Sequence, residues 1–234
     1  MNERRWERLG AEAGVAFVLL ALLALFIPGK APDQNATGQQ LISYISGHRD
    51  GLLWSTVLWS LATVCGLFFV ATLRARLSEA EGGHGELATA AAVGGVFVFM
   101  ANWAGSMLFL GATYRENIGL APSTVRAAFD MYGLAGIASN VGVAVLAGSV
   151  AAVVLSTGLL PKWVGWFSGI VAALCVASLF GVLATSGAFA PGGVFQIATM
   201  MAGIVLVLAV AVEFMVHAGA PITAPAPQGA AITA

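Results

Sequence analysis

Six apolar runs, residues 11–27, 52–73, 87–112, 125–155, 164–185 and 194–216, leave this chain few structures to adopt. Crossing a bilayer as a helix takes about 20 largely apolar residues. Hydrocarbon offers no water to bond, so every N–H and C=O in such a run must be satisfied within its own segment, and the helix does that. Composition agrees: 59% of the 234 residues are hydrophobic and 9% charged, with a mean hydropathy of +0.90, whereas soluble domains are about 25% charged. The expectation is an all-α, polytopic transmembrane bundle of six helices, a single domain over 1–218. The uncharged tail over 219–234, rich in Ala, Pro and Thr, is expected to be disordered.

Taken in order, Arg4, Arg5 and Arg8 precede the first run, which Pro28-Gly29 stops. A basic start before an apolar run also describes a secretory signal, with Gly29-Lys30-Ala31 as its small-x-small site. The run is longer than a signal core and further spans follow, so it reads as a retained helix. In the polar connection 29–50, Thr37 and Gln40 are spaced as a capping box, and Leu41, Ile42, Tyr44 and Ile45 predict a short amphipathic helix along the membrane surface. Trp54 and Trp59 open the second span, and Arg74 and Arg76 close it. The third span has Asn102 near its middle, with Ala88, Ala91, Gly95, Gly105 and Ser106 on the same side. Pro122-Ser123 opens the fourth, where Ser123 suits an N-cap. On that helix Arg126, Asp130, Gly133, Gly136, Asn140, Ala144, Ala147, Gly148 and Ala151 share one face, while Met131, Leu134, Val145, Leu146, Val150 and Val153 lie opposite. A small and polar side against a greasy side predicts that one meets protein and the other lipid. The sixth span puts Gln196, Thr199, Gly203, Leu206, Val210, Glu213 and His217 on one face. Counting Lys and Arg at each side gives six on the side of the termini and four on the other, so both termini are expected in the cytoplasm.

Ionisable and amide groups inside a membrane are the places to look for function. The candidates here are Asn102, Asp130, Asn140, Gln196, Glu213 and His217. Asp130 follows Arg126 by four residues, which suits an ion pair that places the helix end. Glu213 and His217 have the same spacing at the end of the last helix, and Glu12 is set to pair with Arg8. Asn102 and Asn140 are each about 14–15 Å below one edge of the hydrocarbon, on small-residue faces of neighbouring helices, and are expected to bond to each other. Other chemistries lack their parts. The histidines, His48, His84 and His217, all lie at span ends, which excludes axial haem ligation across the bundle. No H-E-x-x-H zinc motif, G-x-S-x-G elbow or phosphate-cradling loop occurs. A Ser–His protease would need His217 beside Ser139 or Ser149, and their expected depths differ. Cys65 and Cys175 sit in separate spans without metal-ligand spacing and read as core residues. A net charge of −1 offers no basic surface for nucleic acid.

With the spans placed, three sets of residues carry a resemblance: Tyr44 with His48-Arg49 before the second span, Leu73-Arg74-Ala75-Arg76-Leu77 with Glu81-Gly82-Gly83 after it, and Gly158-Leu159-Leu160-Pro161-Lys162-Trp163-Val164-Gly165-Trp166 entering the fifth. The chain resembles a group of small bacterial six-helix membrane proteins classed as a domain of unknown function. The resemblance implies a multi-pass protein of the bacterial cytoplasmic membrane and transfers no catalytic residue. The function expected from the residues is non-catalytic, without a cofactor, exercised in the bilayer through self-association or another membrane protein. The alternative is a small-solute transporter or channel with a polar site between the third, fourth and sixth helices, for which Gly133 and Gly136 would supply a helix break. An intramembrane enzyme is the third reading.

Overall fold

The computed structural model describes residues 3–114 and 119–217, so the expected tail over 219–234 lies outside the described residues. Among them the chain forms six helices and no strand: α1 (Glu3–Phe26), α2 (Gly38–Glu81), α3 (Glu86–Thr113), α4 (Pro122–Thr157), α5 (Lys162–Leu179, continued by a 3-10 turn Phe180–Leu183) and α6 (Val194–Val216). All six are long and apolar enough to cross a membrane. They pack in sequence order, α1 closes back onto α6, and α2 also meets α4 across the middle. One end of the bundle, the terminus end, carries the start of α1, the end of α6 and the α2–α3 and α4–α5 turns. The far end carries the connections 27–37 and 184–193, the end of α3 and the start of α4.

Several local expectations hold. The capping box is present: Thr37 N–H donates to Gln40 Oε1 at 2.8 Å and Gln40 N–H to Thr37 Oγ1 at 3.3 Å, satisfying two of the donors a helix start leaves open. Arg8 pairs with Glu12 at 3.3 Å. At the terminus end the buried guanidinium of Arg76 meets Glu7 at 3.4 Å and Glu79 at 3.6 Å, which ties α1 to α2.

Four expectations are corrected. The amphipathic segment is helical as expected, joined to the second span across a kink at His48 (φ −128°, ψ 17°), but it does not lie on lipid. Its apolar residues Leu41 and Ile45 bury against Ala36 and Val125, with Phe109 and Phe129 packed alongside, so protein takes the place expected of lipid. Ser123 does not cap α4, because Pro122 occupies the first helical position and Ala121 is the cap; a proline lacks the N–H that position leaves unbonded and already has a helical φ. The fifth helix ends at Leu179, short of Thr185, and tightens into the 3-10 turn. Finally, α4 is the most enclosed of the six. Met131, Leu134 and Val145 are exposed as expected, but Leu146, Val150 and Val153 are buried, because toward the terminus end the helix is surrounded by neighbours on both its faces.

Small residues allow a close contact between α3 and α4. A Cβ at Gly94 would stand 2.7 Å from Gly142 O, and one at Gly142 would stand 2.5 Å from Gly94 O, so α3 and α4 touch backbone to backbone. Large side chains fill the space such contacts leave elsewhere: the Phe99 ring lies where a side chain at Gly66 would be. Toward the terminus end the result is a close-packed core containing Phe69, Leu73, Val150, Val154, Val210 and Phe214.

A cavity between α3, α4 and α6

Toward the far end the helices do not close. A cavity of about 1010 Å³ opens there, walled by α1, α2, α3, α4 and α6 and bordered by the connections holding Lys30–Gln34 and Gly187–Gly193. Along α4 its lining runs from Phe129 to Leu146, a distance of roughly 26 Å at 1.5 Å per residue. The inner end is apolar, with Phe17, Phe99, Leu146 and Leu206, and beyond it stands the close-packed core. The size is at the upper end of the range of about 300–1,000 Å³ typical of small-molecule sites.

Four of the six candidate residues, Asn102, Asp130, Asn140 and Gln196, line this cavity. Glu213 and His217 do not. They pair with each other at 3.4 Å at the terminus end of α6, and His217 is eighteen residues past Thr199, roughly 27 Å along the helix. That separation also keeps His217 away from Ser139, whose hydroxyl donates to Gly136 O at 2.7 Å.

Asn102 and Asn140 share the cavity wall without bonding to each other, contrary to expectation. Asn140, 2% exposed, points its Nδ2 to Ser178 Oγ at 2.6 Å and Thr199 Oγ1 at 3.3 Å, joining α4 to α5 and α6. Asn102 Nδ2 donates to Val98 O at 3.0 Å on its own helix. The Gly94–Gly142 contact sets the register and rotation of α3 and α4, and hydroxyls on α5 and α6 take the Asn140 amide instead. Thr199 was on the polar face read from α6, whereas Ser178 carried no signal beyond being a small polar residue in an apolar run.

The other two cavity candidates are structural clamps. Arg126 grips Asp130 through two bonds, at 2.6 Å and 3.2 Å, and donates to Ala36 O at 2.7 Å. One side chain thereby neutralises the carboxylate and holds the 27–37 connection. Gln196 Nε2 donates to Gly133 O at 3.1 Å and its Oε1 accepts from Gly192 N–H. A side chain at Gly136 would collide with that amide, while one at Gly133 would face Pro191, and α4 remains a continuous helix past both glycines. Gln34, which the sequence did not single out, bridges the two connections by donating to Gly187 O at 2.9 Å. Its Oε1 is buried without a hydrogen-bond partner.

Among the described residues no cluster of His, Cys, Asp or Glu is arranged to hold a metal ion. What the cavity offers is a long apolar enclosure with neutral amides and hydroxyls on its wall. No family model matches the chain, and no curated protein or solved structure matches it.

Proposed function

We propose that this chain is a ligand-binding protein of the bacterial cytoplasmic membrane, holding a small molecule in the cavity between α3, α4 and α6 without converting it. The observation that carries this reading is the convergence of Asn102, Asp130, Asn140 and Gln196 on one elongated cavity. It takes up the solute-site alternative in a modified form. The packed core beyond Leu146 and Leu206 favours holding over conduction, and transporter sites are commonly built on broken helices, whereas α4 is continuous. The small-residue faces that suggested self-association are occupied within the chain by the α3–α4 contact. With the orientation expected from the Lys/Arg count, the cavity opens toward the outside.

The test is native mass spectrometry of the protein released from mild detergent, compared with a variant that fills the cavity. Gly203 lines the space, and a Cβ there would meet only Val143, at 3.8 Å. Gly203→Leu therefore occupies the cavity without striking backbone, and the helix tolerates it better than glycine. A bound mass on the wild type that Gly203→Leu loses supports the reading. The same mass on both proteins would place the molecule elsewhere and defeat it.

A further inference from the structure

Resting on that ligand-binding reading, we propose that the cavity takes a neutral amphiphile, an apolar chain bearing a hydroxyl group, and discriminates against the carboxylate or ammonium of the same chain. The charges along the cavity argue for this. Asp130 is consumed by Arg126. Lys30 and Asp33, at the mouth, are exposed and opposite in sign. Deeper than Asp130, among the described residues, no ionisable acid or base lines the wall apart from the phenol of Tyr132. A charged head brought past the mouth would lose its water and find no counter-ion, which costs far more than burying a neutral polar group.

The uncommitted hydrogen-bonding capacity selects among neutral heads. Asn102 spends one N–H on Val98 O, which leaves its oxygen and its second N–H. The Ser139 hydroxyl gives its proton to Gly136 O and keeps accepting capacity, whereas Thr199 gives its proton to Gln196 O and already accepts from Asn140 Nδ2. Gln34 adds an unpartnered buried oxygen near the mouth. Asn102 thus sets an open acceptor beside an open donor, and a buried acceptor left empty is costly. A hydroxyl supplies a proton and also accepts from the remaining Asn102 N–H. A ketone or ester alone supplies no proton. The apolar walls above and below Asn102 suit the chain, whose burial from water is favourable in proportion to its apolar surface.

The experiment is equilibrium binding of radiolabelled 1-dodecanol to the full chain in amphipol, with unlabelled dodecanol, dodecanoate, dodecylammonium and dodecane as competitors. Gly203→Leu and Val207→Trp, two independent cavity-filling variants, define the specific signal, and each is checked for helix content. The expected result is saturable dodecanol binding removed by either filling variant, competition at least tenfold weaker by both ions and by dodecane, and about tenfold weaker binding by Asn102→Leu, the worth of one hydrogen bond. Dodecanoate or dodecylammonium competing as well as dodecanol, at a site the filling variants still abolish, overturns the neutral-hydroxyl assignment and leaves the cavity as a ligand site. If none of the four compounds gives saturable binding that a filling variant removes, both the assignment and the ligand-binding reading fall.

Discussion

At the scale of single residues, the polar groups within the span divide into those that hold helices together and those left for a ligand. Asn140 belongs to the first kind. Its amide bonds to Ser178 and Thr199, and each hydroxyl keeps its own proton on a backbone carbonyl. Asn140→Ala therefore strands only the weak S–H donor of Cys175, which meets Asn140 Oδ1 at 4.0 Å, and the Asn140–Ser178 coupling should be that of an ordinary side-chain bond between membrane helices, about 0.6 kcal/mol. Unfolding titrations in mixed micelles test this: the Asn140→Ala, Ser178→Ala cycle should show that coupling, while Asn140→Ala with Asn102→Ala should be additive. Coupling between the two asparagines instead would contradict the hydrogen-bond pattern. Asp130→Asn removes one side of a half-exposed ion pair and should lower stability by about 0.5–1 kcal/mol, with no more than a small effect on ligand affinity. A large loss of binding with unchanged stability would make Asp130 a ligand contact. That these residues mattered was legible from their polarity in apolar runs. Which partner each would take was not, because a hydrogen bond depends on rotation and depth together.

At the scale of helices, local chemistry was the most readable. The Thr37–Gln40 box and the stop at Pro28-Gly29 depend on residues a few positions apart, and both stand where the spacing put them. The side a helix turns to lipid was readable where the helix has lipid beside it: in α3, Val93, Phe97, Met100 and Leu108 are exposed while Ala88, Ala91, Gly95 and Gly105 are buried. In α4 the rule failed toward the terminus end, since a helix enclosed on two sides buries its greasy face as well. Glycines separate by what faces them. Gly94→Ala or Gly142→Ala drives a methyl into backbone and should cost about 1–3 kcal/mol. Gly148, whose Cβ would meet only Ala172 at 3.9 Å, should gain up to about 1 kcal/mol from Gly148→Ala through helix propensity. Thermal denaturation of the three variants in one detergent checks the contrast, and similar shifts for all three would refute the α3–α4 contact.

At the scale of the whole molecule, the arrangement predicts opposite accessibility for the two ends of the bundle. Cysteines introduced at Asp33 and Ser186 should react with an impermeant maleimide on intact cells, and cysteines at Glu79 and Lys162 should react only after the membrane is opened. The reverse pattern would invert the orientation drawn from the Lys/Arg count and turn the cavity mouth toward the cytoplasm. The number of helices long and apolar enough to cross a membrane and the residues worth testing were determined by the sequence alone, whereas helix limits such as those of α2, which starts at Gly38 and ends at Glu81, were not. Hydrocarbon forces each apolar run to satisfy its own backbone, which is a property of the run and needs no neighbour. The cavity was decided by the tertiary structure. It is bounded by α3 and α4, which meet at Gly94 and Gly142, and by α6, which Gln196 fastens to Gly133 of α4 near the far end, and the spacing of helices far apart in the chain is a property of no single segment.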